Sequence, residues 1–143
     1  MKVLLNYTKD LHFKASVRNF KAFSVDEPAS FHGTDLGPSA VEYLLIGIGG
    51  CLGTTFIYCL QNNNIELETF EVVVDGKVSH TGPKKLLRLE KVDVDLKFTP
   101  KETSSDVEIN RCMKEFRKYC IVTNSIANVN LPINVNCIKI NGI

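Results

Sequence analysis

Residues 38–64 read PSAVEYLLIGIGGCLGTTFIYCLQNNN, and everything from Tyr43 through Asn64 is uncharged. Ser39 followed three residues later by Glu42 is a capping box, with Pro38 just before the cap, and the Asn62-Asn63-Asn64 run is a stop. The spacing predicts one helix over about 39–61, roughly 33 Å long at 1.5 Å per residue. That length and apolarity would also suit a membrane span, with Gly49-x-x-x-Gly53 as a helix-dimer face. Its flanks lack the Lys/Arg asymmetry and aromatic belt of a span, and about 80 residues of strand and amphipathic-helix pattern follow. The reading is therefore a helix buried on all sides, in which Gly47, Gly49, Gly50 and Gly53 admit another backbone closely. A chain of 143 residues can hardly surround so long a helix, so a partner subunit is expected to help cover it.

On the N-terminal side, VLLNYT, HFKASV and RNFKAFSV are short strand patterns that end at Asp26-Glu27-Pro28, before the polar loop SFHGTDLGP. On the C-terminal side come FEVVVDGKVS, a turn at Thr81-Gly82-Pro83, and LLRLEKVDVDLKF. Val92, Val94, Leu96 and Phe98 alternate with charged residues, so one face is buried and one wet. Leu87 and Leu89 fall on the opposite phase, which predicts a bulge or a change of partner near Glu90, and Asp75-Gly76 reads as a further bulge. A second capping box, Ser105 to Glu108, opens an amphipathic helix with Ile109, Cys112, Met113, Phe116 and Cys120 on one stripe. A short turn or helix at SIANVN then leads to LPINVNCIKI, a last strand that Pro132 places at an edge or a strand start. Nothing divides the pattern, so residues 1–143 are read as a single α+β domain.

Hydrophobic residues make up 44% and charged residues 23% of the chain, and 17 Lys+Arg against 16 Asp+Glu leave a net charge of +1. That balance offers no clustered excess of cations for nucleic acid or a polybasic membrane contact. The five cysteines form no C-x-x-C and have no histidine at ligand spacing, which excludes a zinc site. The apolar run after Lys2 is too short for a secretory signal, so a cytoplasmic location is expected. Structural disulfides are then not expected, and a pair that oxidises is read as redox-active.

Cys51 lies mid-helix in apolar surroundings that would raise its pKa; to act as a nucleophile it needs a cation or hydrogen-bond donors from elsewhere in the fold. Cys120 ends one helix and precedes another start at Thr123 or Asn124, near backbone N–H groups that favour an anion. Cys59, eight residues after Cys51, is turned by roughly 80° and faces another wall, while Cys112 and Cys137 sit in apolar stripes as small buried hydrophobes. His12, His32 and His80 are scattered and read as solvated. Arg18 and Arg88 read as solvent-face charges, and capping alone accounts for Glu42. Gly47 to Gly53 contains no G-x-G-x-x-G, so no dinucleotide site is read there.

Asp26-Glu27-Pro28, the string Gly33-Thr34-Asp35-Leu36-Gly37-Pro38-Ser39, Val41-Glu42-Tyr43-Leu44-Leu45 through Gly49-Gly50-Cys51-Leu52, and Lys118-Tyr119-Cys120 occur in an order that covers most of the chain. Together they resemble the family of osmotically inducible protein C and organic hydroperoxide resistance proteins, the OsmC/Ohr family. The resemblance implies curved antiparallel sheets wrapped around two central helices, in an intertwined homodimer with sites at the interface. It also implies thiol-dependent reduction of organic hydroperoxides, with Cys51 as peroxidatic thiolate, Cys120 as resolving thiol, no cofactor, and an external dithiol as reductant.

Two positions depart from the family pattern. The family glutamate falls ten residues before the first cysteine, a slot held here by Val41, with Glu42 one position later and about 100° around the helix. The family arginine often lies in the loop before the central helix, where SFHGTDLG has no cation; Arg18 is the substitute by position. Catalytic candidates are accordingly Cys51, Cys120, Arg18 and Glu42. The alternative is a non-enzymatic dimer of the same fold that binds small apolar ligands, with the cysteines as passive lining.

Overall fold

In the computed structural model, which describes residues 1–102, 104–127 and 131–140, the three N-terminal patterns form strands β1 (Val3–Lys9), β2 (His12–Val17) and β3 (Phe20–Val25). They pair antiparallel in that order. The two contact-dense units of the chain are Met1–Leu44 and Leu45–Ile143, and this sheet belongs to the first.

Beyond β3 the first unit is organised by one carboxylate. Asp26, 1% exposed, accepts N–H bonds from Glu27 (2.8 Å), Leu36 (3.1 Å) and Thr34 (3.4 Å) and a hydroxyl bond from Thr34 (2.5 Å). These bonds fold the polar loop back toward its start and deliver the chain to helix α1 (Ala40–Asn62). The capping box is made in both directions: Ser39 N–H donates to Glu42 Oε2 at 2.6 Å and Glu42 N–H to Ser39 Oγ at 3.3 Å. His12 departs from its expected solvation. It is buried between its neighbours, with one ring nitrogen 2.9 Å from Thr8 Oγ1 and the other 3.1 Å from Ser24 Oγ, because the two adjacent strands each place a hydroxyl against the ring. His32 and His80 are exposed as expected.

The second unit contains β4 (Leu67–Thr81), β5 (Leu86–Pro100) and β6 (Ile133–Lys139), paired in that order. The hairpin β4–β5 is antiparallel, and its register slips between Lys77–Lys91 and Val78–Leu89, which leaves Glu90 as the extra residue. That is the phase change seen in the sequence. The bulge expected at Asp75-Gly76 is absent: both residues pair regularly, with Asp93 and Val92, because the slip at Glu90 already absorbs the mismatch. The third strand, β6, joins β5 in parallel, its entry fixed by Val92 N–H donating to the Pro132 carbonyl, so Pro132 stands at a strand start. The parallel direction follows from the helical crossover, α2 (Asp106–Glu115), a 3-10 turn (Phe116–Tyr119) and α3 (Ile121–Ile126), which carries the chain back to the other end of the sheet. The last three residues of the SIANVN stretch lie outside the described residues.

Ile48, Leu52, Phe56 and Leu60 of α1, four residues apart, are fully buried against Val92, Val94, Leu96 and Phe98 of β5 and Ile109, Cys112, Phe116 and Cys120 of the crossover. Gly49 and Gly53 let the helix backbone approach β4: a Cβ at Gly49 would lie 2.4 Å from Val74 Cγ2, and one at Gly53 3.0 Å from Val72 Cγ2. By length and composition α1 is long and apolar enough to cross a membrane, but its Gly-x-x-x-Gly face lies on β4. The opposite side remains apolar and open, with Ile46 and Tyr58 exposed. The Ser105–Glu108 capping box does not form as expected. Ser105 is the N-cap without a side-chain bond, because the Glu108 carboxylate is drawn 2.6 Å from Arg111 Nη2.

Candidate active site

The helical seam of the second unit is antiparallel. Passing up α1 and into the turn after it, Cys51, Phe56, Cys59 and Asn63 meet Cys120, Phe116, Cys112 and Arg111 in falling order. Cys51 and Cys120, 69 residues apart in sequence, are thereby brought to one end of the seam. Both are free thiols, Cys51 half-buried and Cys120 fully buried.

Of the two stabilisers the sequence calls for, a cation or hydrogen-bond donors, Cys51 meets the donors. Burial alone would push its thiol up, but hydrogen bonds from the backbone N–H of Val122, the Cys120 thiol, the backbone N–H of Ile121 and the Thr55 hydroxyl outweigh it, and the Cys51 pKa is lowered. Two of these donors are the first N–H groups of α3, which have no partner within their own helix and favour an anion. Thr55 stands one turn beyond Cys51 on α1, and its hydroxyl also lies 2.7 Å from the Cys51 carbonyl oxygen. Donors reach both sulfurs: the Ile121 and Val122 amides act on Cys51, and Cys120 accepts from the Thr123 N–H and hydroxyl, where the sequence places donors for it. The helix α3 begins at Ile121, ahead of the Thr123 or Asn124 start read from the sequence, so Cys120 is the residue before the helix and two further amides are available to Cys51. Cys120 is instead pushed up, first by burial and further by the neighbouring Cys51, despite bonds from Thr123. The two thiols are thus differentiated: Cys51 gives up its proton more readily than Cys120 beside it.

The remaining sequence candidates lie in the first unit. Glu42 is held by Ser39, whose backbone N–H is the main cause of its lowered pKa, and its carboxylate serves as the cap of α1. Arg18 sits in the tight β2–β3 connection with a positive φ of 53°, its guanidinium over the Phe20 ring at 5.3 Å. Cys137, on β6, is pushed up to about 11, chiefly by burial, and is a poor nucleophile near neutral pH. Cys59 and Cys112 correct the expectation of passive, unpaired cysteines: they form a disulfide. The 80° offset between Cys51 and Cys59 does not send them to separate walls, because the crossover is two helices joined by a 3-10 turn and each helix serves one cysteine. Thr55, Ile121 and Val122 went unread in the sequence; the signal for Thr55 was its place four residues after Cys51.

A family model described as OsmC-like protein matches residues 33–136, which takes in α1, the hairpin, the crossover and most of β6. The chain belongs to the OsmC-like family. Solved structures share the fold of this OsmC-like chain over nearly its whole length. An OsmC-like protein from Mycoplasma pneumoniae superposes with a TM-score of 0.80 at 20% identity, covering 97% of this chain and 96% of its own. The organic hydroperoxide resistance protein OhrB of Bacillus subtilis gives 0.64 at 14% identity, covering 95% and 96%. An OsmC-like protein of unknown function from Vibrio cholerae gives 0.77 at 9% identity, covering 94% and 97%. At these identities the likeness is one of fold. No curated protein sequence matches the chain.

Proposed function

We propose that the chain is a thiol-dependent peroxidase that reduces organic hydroperoxides, working as a cytoplasmic homodimer with an external dithiol as reductant and no cofactor. The reading is carried by the Cys51 thiol, lowered in pKa by the N–H groups of Ile121 and Val122, with Cys120 donating to it from the same turn. The family's organic hydroperoxide resistance proteins support it at the level of fold.

In the proposed reaction the Cys51 thiolate attacks the terminal oxygen of a hydroperoxide. The O–O bond breaks, its electron pair leaves on the alkoxide, and the proton lost by Cys51 returns to give the alcohol. The sulfur becomes a sulfenic acid. Cys120 then attacks that sulfur, its thiol proton leaves with the hydroxyl as water, and a Cys51–Cys120 disulfide forms. A dithiol restores both thiols by exchange and departs as its own disulfide. The apolar surface of α1 would favour alkyl and aryl hydroperoxides over H₂O₂. Arg18 and Glu42 are retained as residues serving this reaction, Glu42 through its hold on the start of α1.

Three thiols are free in the resting chain. One equivalent of cumene hydroperoxide is expected to leave one, Cys137, with Cys51 and Cys120 joined on peptide mapping. An Arg18→Ala chain should lose its two thiols more slowly. An unchanged count of three would overturn the reading in favour of an apolar-ligand-binding dimer, which the occupied carboxylate of Glu42 and the open apolar face of α1 would then explain.

A further inference from the structure

The second sulfur pair has no part in that chemistry. Eight residues of helix separate Cys59 from Cys51, about 12 Å, and Phe56 packed on Phe116 lies between the pairs. Bonded cysteines need Cβ atoms about 4 Å apart, so the two pairs cannot exchange directly and are oxidised and reduced separately.

Around Cys59–Cys112 the side chains are arranged toward one sulfur. Asn63 Nδ2 donates to the Cys59 carbonyl at 2.8 Å and points at both sulfurs, 3.5 Å from Cys112 Sγ and 3.9 Å from Cys59 Sγ. The amide is fixed in that sense because its Oδ1 accepts from Arg111 Nη2, and Arg111 is itself paired with Glu108 at 2.6 Å. A carboxylate, a guanidinium and an amide thus end in an N–H aimed at sulfur. A disulfide sulfur is a weak acceptor and gains little from such a donor. A thiolate gains much more, since hydrogen bonds to charged groups are about twice as strong. The two sulfurs also differ in access: Cys59 is half-buried, whereas Cys112 is sealed.

We infer that Cys59–Cys112 is a second exchange-active site, which takes an external dithiol as reductant, with Cys59 as the sulfur attacked and Cys112 as the leaving thiolate held by Asn63. The dithiol's thiolate bonds to Cys59 Sγ, and the Cys59–Cys112 bond breaks with its electron pair on Cys112. The reductant's second thiolate then attacks its own sulfur on Cys59 and releases the Cys59 thiolate. The reductant departs as a disulfide, two electrons poorer, and the two protons it gave up end on Cys59 and Cys112. A better-stabilised leaving thiolate departs faster, which is the work of Asn63 here.

The test uses a chain carrying Cys51→Ser and Cys120→Ser, with the same mapping on the wild-type chain in case that variant does not fold. Without denaturant, excess 2-mercaptoethanol followed by acid quench and N-ethylmaleimide is expected to give a mixed disulfide on Cys59 and a maleimide on Cys112. Asn63→Ala and Asn63→Asp should each slow reduction by dithiothreitol about tenfold; the Asp variant keeps the bond from Arg111 but has no N–H to offer. A merely structural staple gives the opposite sign, because loss of Asn63 loosens the end of α1 and speeds reduction. That result overturns the proposal, as do reduction only in denaturant, a mixed disulfide on Cys112, or two free thiols at these positions in air-oxidised protein.

Discussion

Phe56 and Phe116 meet edge to face with ring centroids 5.1 Å apart, midway along the seam between the Cys51–Cys120 contact and the Cys59–Cys112 bond. Phe56 also contacts the Phe98 ring at 5.1 Å, so one side chain ties α1 to both the crossover and the sheet. Both seam rings are fully buried. Phe116→Ala should cost about 3–5 kcal/mol, read as a lower urea midpoint. A loss below ~1 kcal/mol would mean that the seam closes around the gap.

The lowered pKa of Cys51 predicts its chemistry with pH. Iodoacetamide reacts with the thiolate, so the half-point of the Cys51 rate profile should lie below that of a free cysteine, while that of Cys137 should lie near 11. Labelling at neutral pH then falls on Cys51 first. Thr55→Val, which removes one donor at nearly constant volume, should move the Cys51 half-point upward and leave that of Cys137 in place.

Asp26 sets an acid limit on the loop before α1. The Thr34 hydroxyl first, and then the N–H groups of Leu36, Thr34 and Glu27, hold its pKa near about 2 against a usual 3.8, with burial opposing them. A depressed pKa stabilises the fold fully above the unfolded value and loses that contribution as pH falls through the folded one. Wild-type stability should therefore decline between pH 3.8 and about 2 through this group. Asp26→Asn should be less stable at neutral pH and flatter across that window; an unchanged slope would remove Asp26 from its organising role.

The glycines of α1 separate into two kinds. Gly49→Ala drives a methyl into Val74 and should destabilise by about 1–3 kcal/mol. Gly47→Ala meets nothing within 4 Å and should stabilise the helix by about 0.5–1 kcal/mol. Thermal melts of the two variants should move in opposite directions.

Much of this was legible in the chain. The Ser39–Glu42 box, the Asn stop, the Val92–Phe98 alternation and the phase slip at Glu90 each express a local periodicity, and each is found in the fold. What escaped was whatever depends on two segments meeting. Cys112 looks like an ordinary stripe residue, and Cys59 looks turned to another wall, until α1 and α2 meet antiparallel. His12 reads as solvated until Thr8 and Ser24 close over it from neighbouring strands. The donors to Cys51 escaped for a subtler reason: they are the backbone amides of Ile121 and Val122, which lie ahead of the helix start read from the sequence and reach Cys51 only once the crossover packs on α1.

The placement of Cys120 immediately before Ile121 bears on the proposed reaction. The peptide units that steady the negative charge on Cys51 are joined directly to the sulfur that would extinguish it. Once a Cys51–Cys120 bond forms, the amides of Ile121 and Val122 face a neutral atom and lose their strongest acceptor. Oxidation would thus slacken the first turn of α3 at the moment a reductant needs entry, and restoring the thiolate would tighten it again.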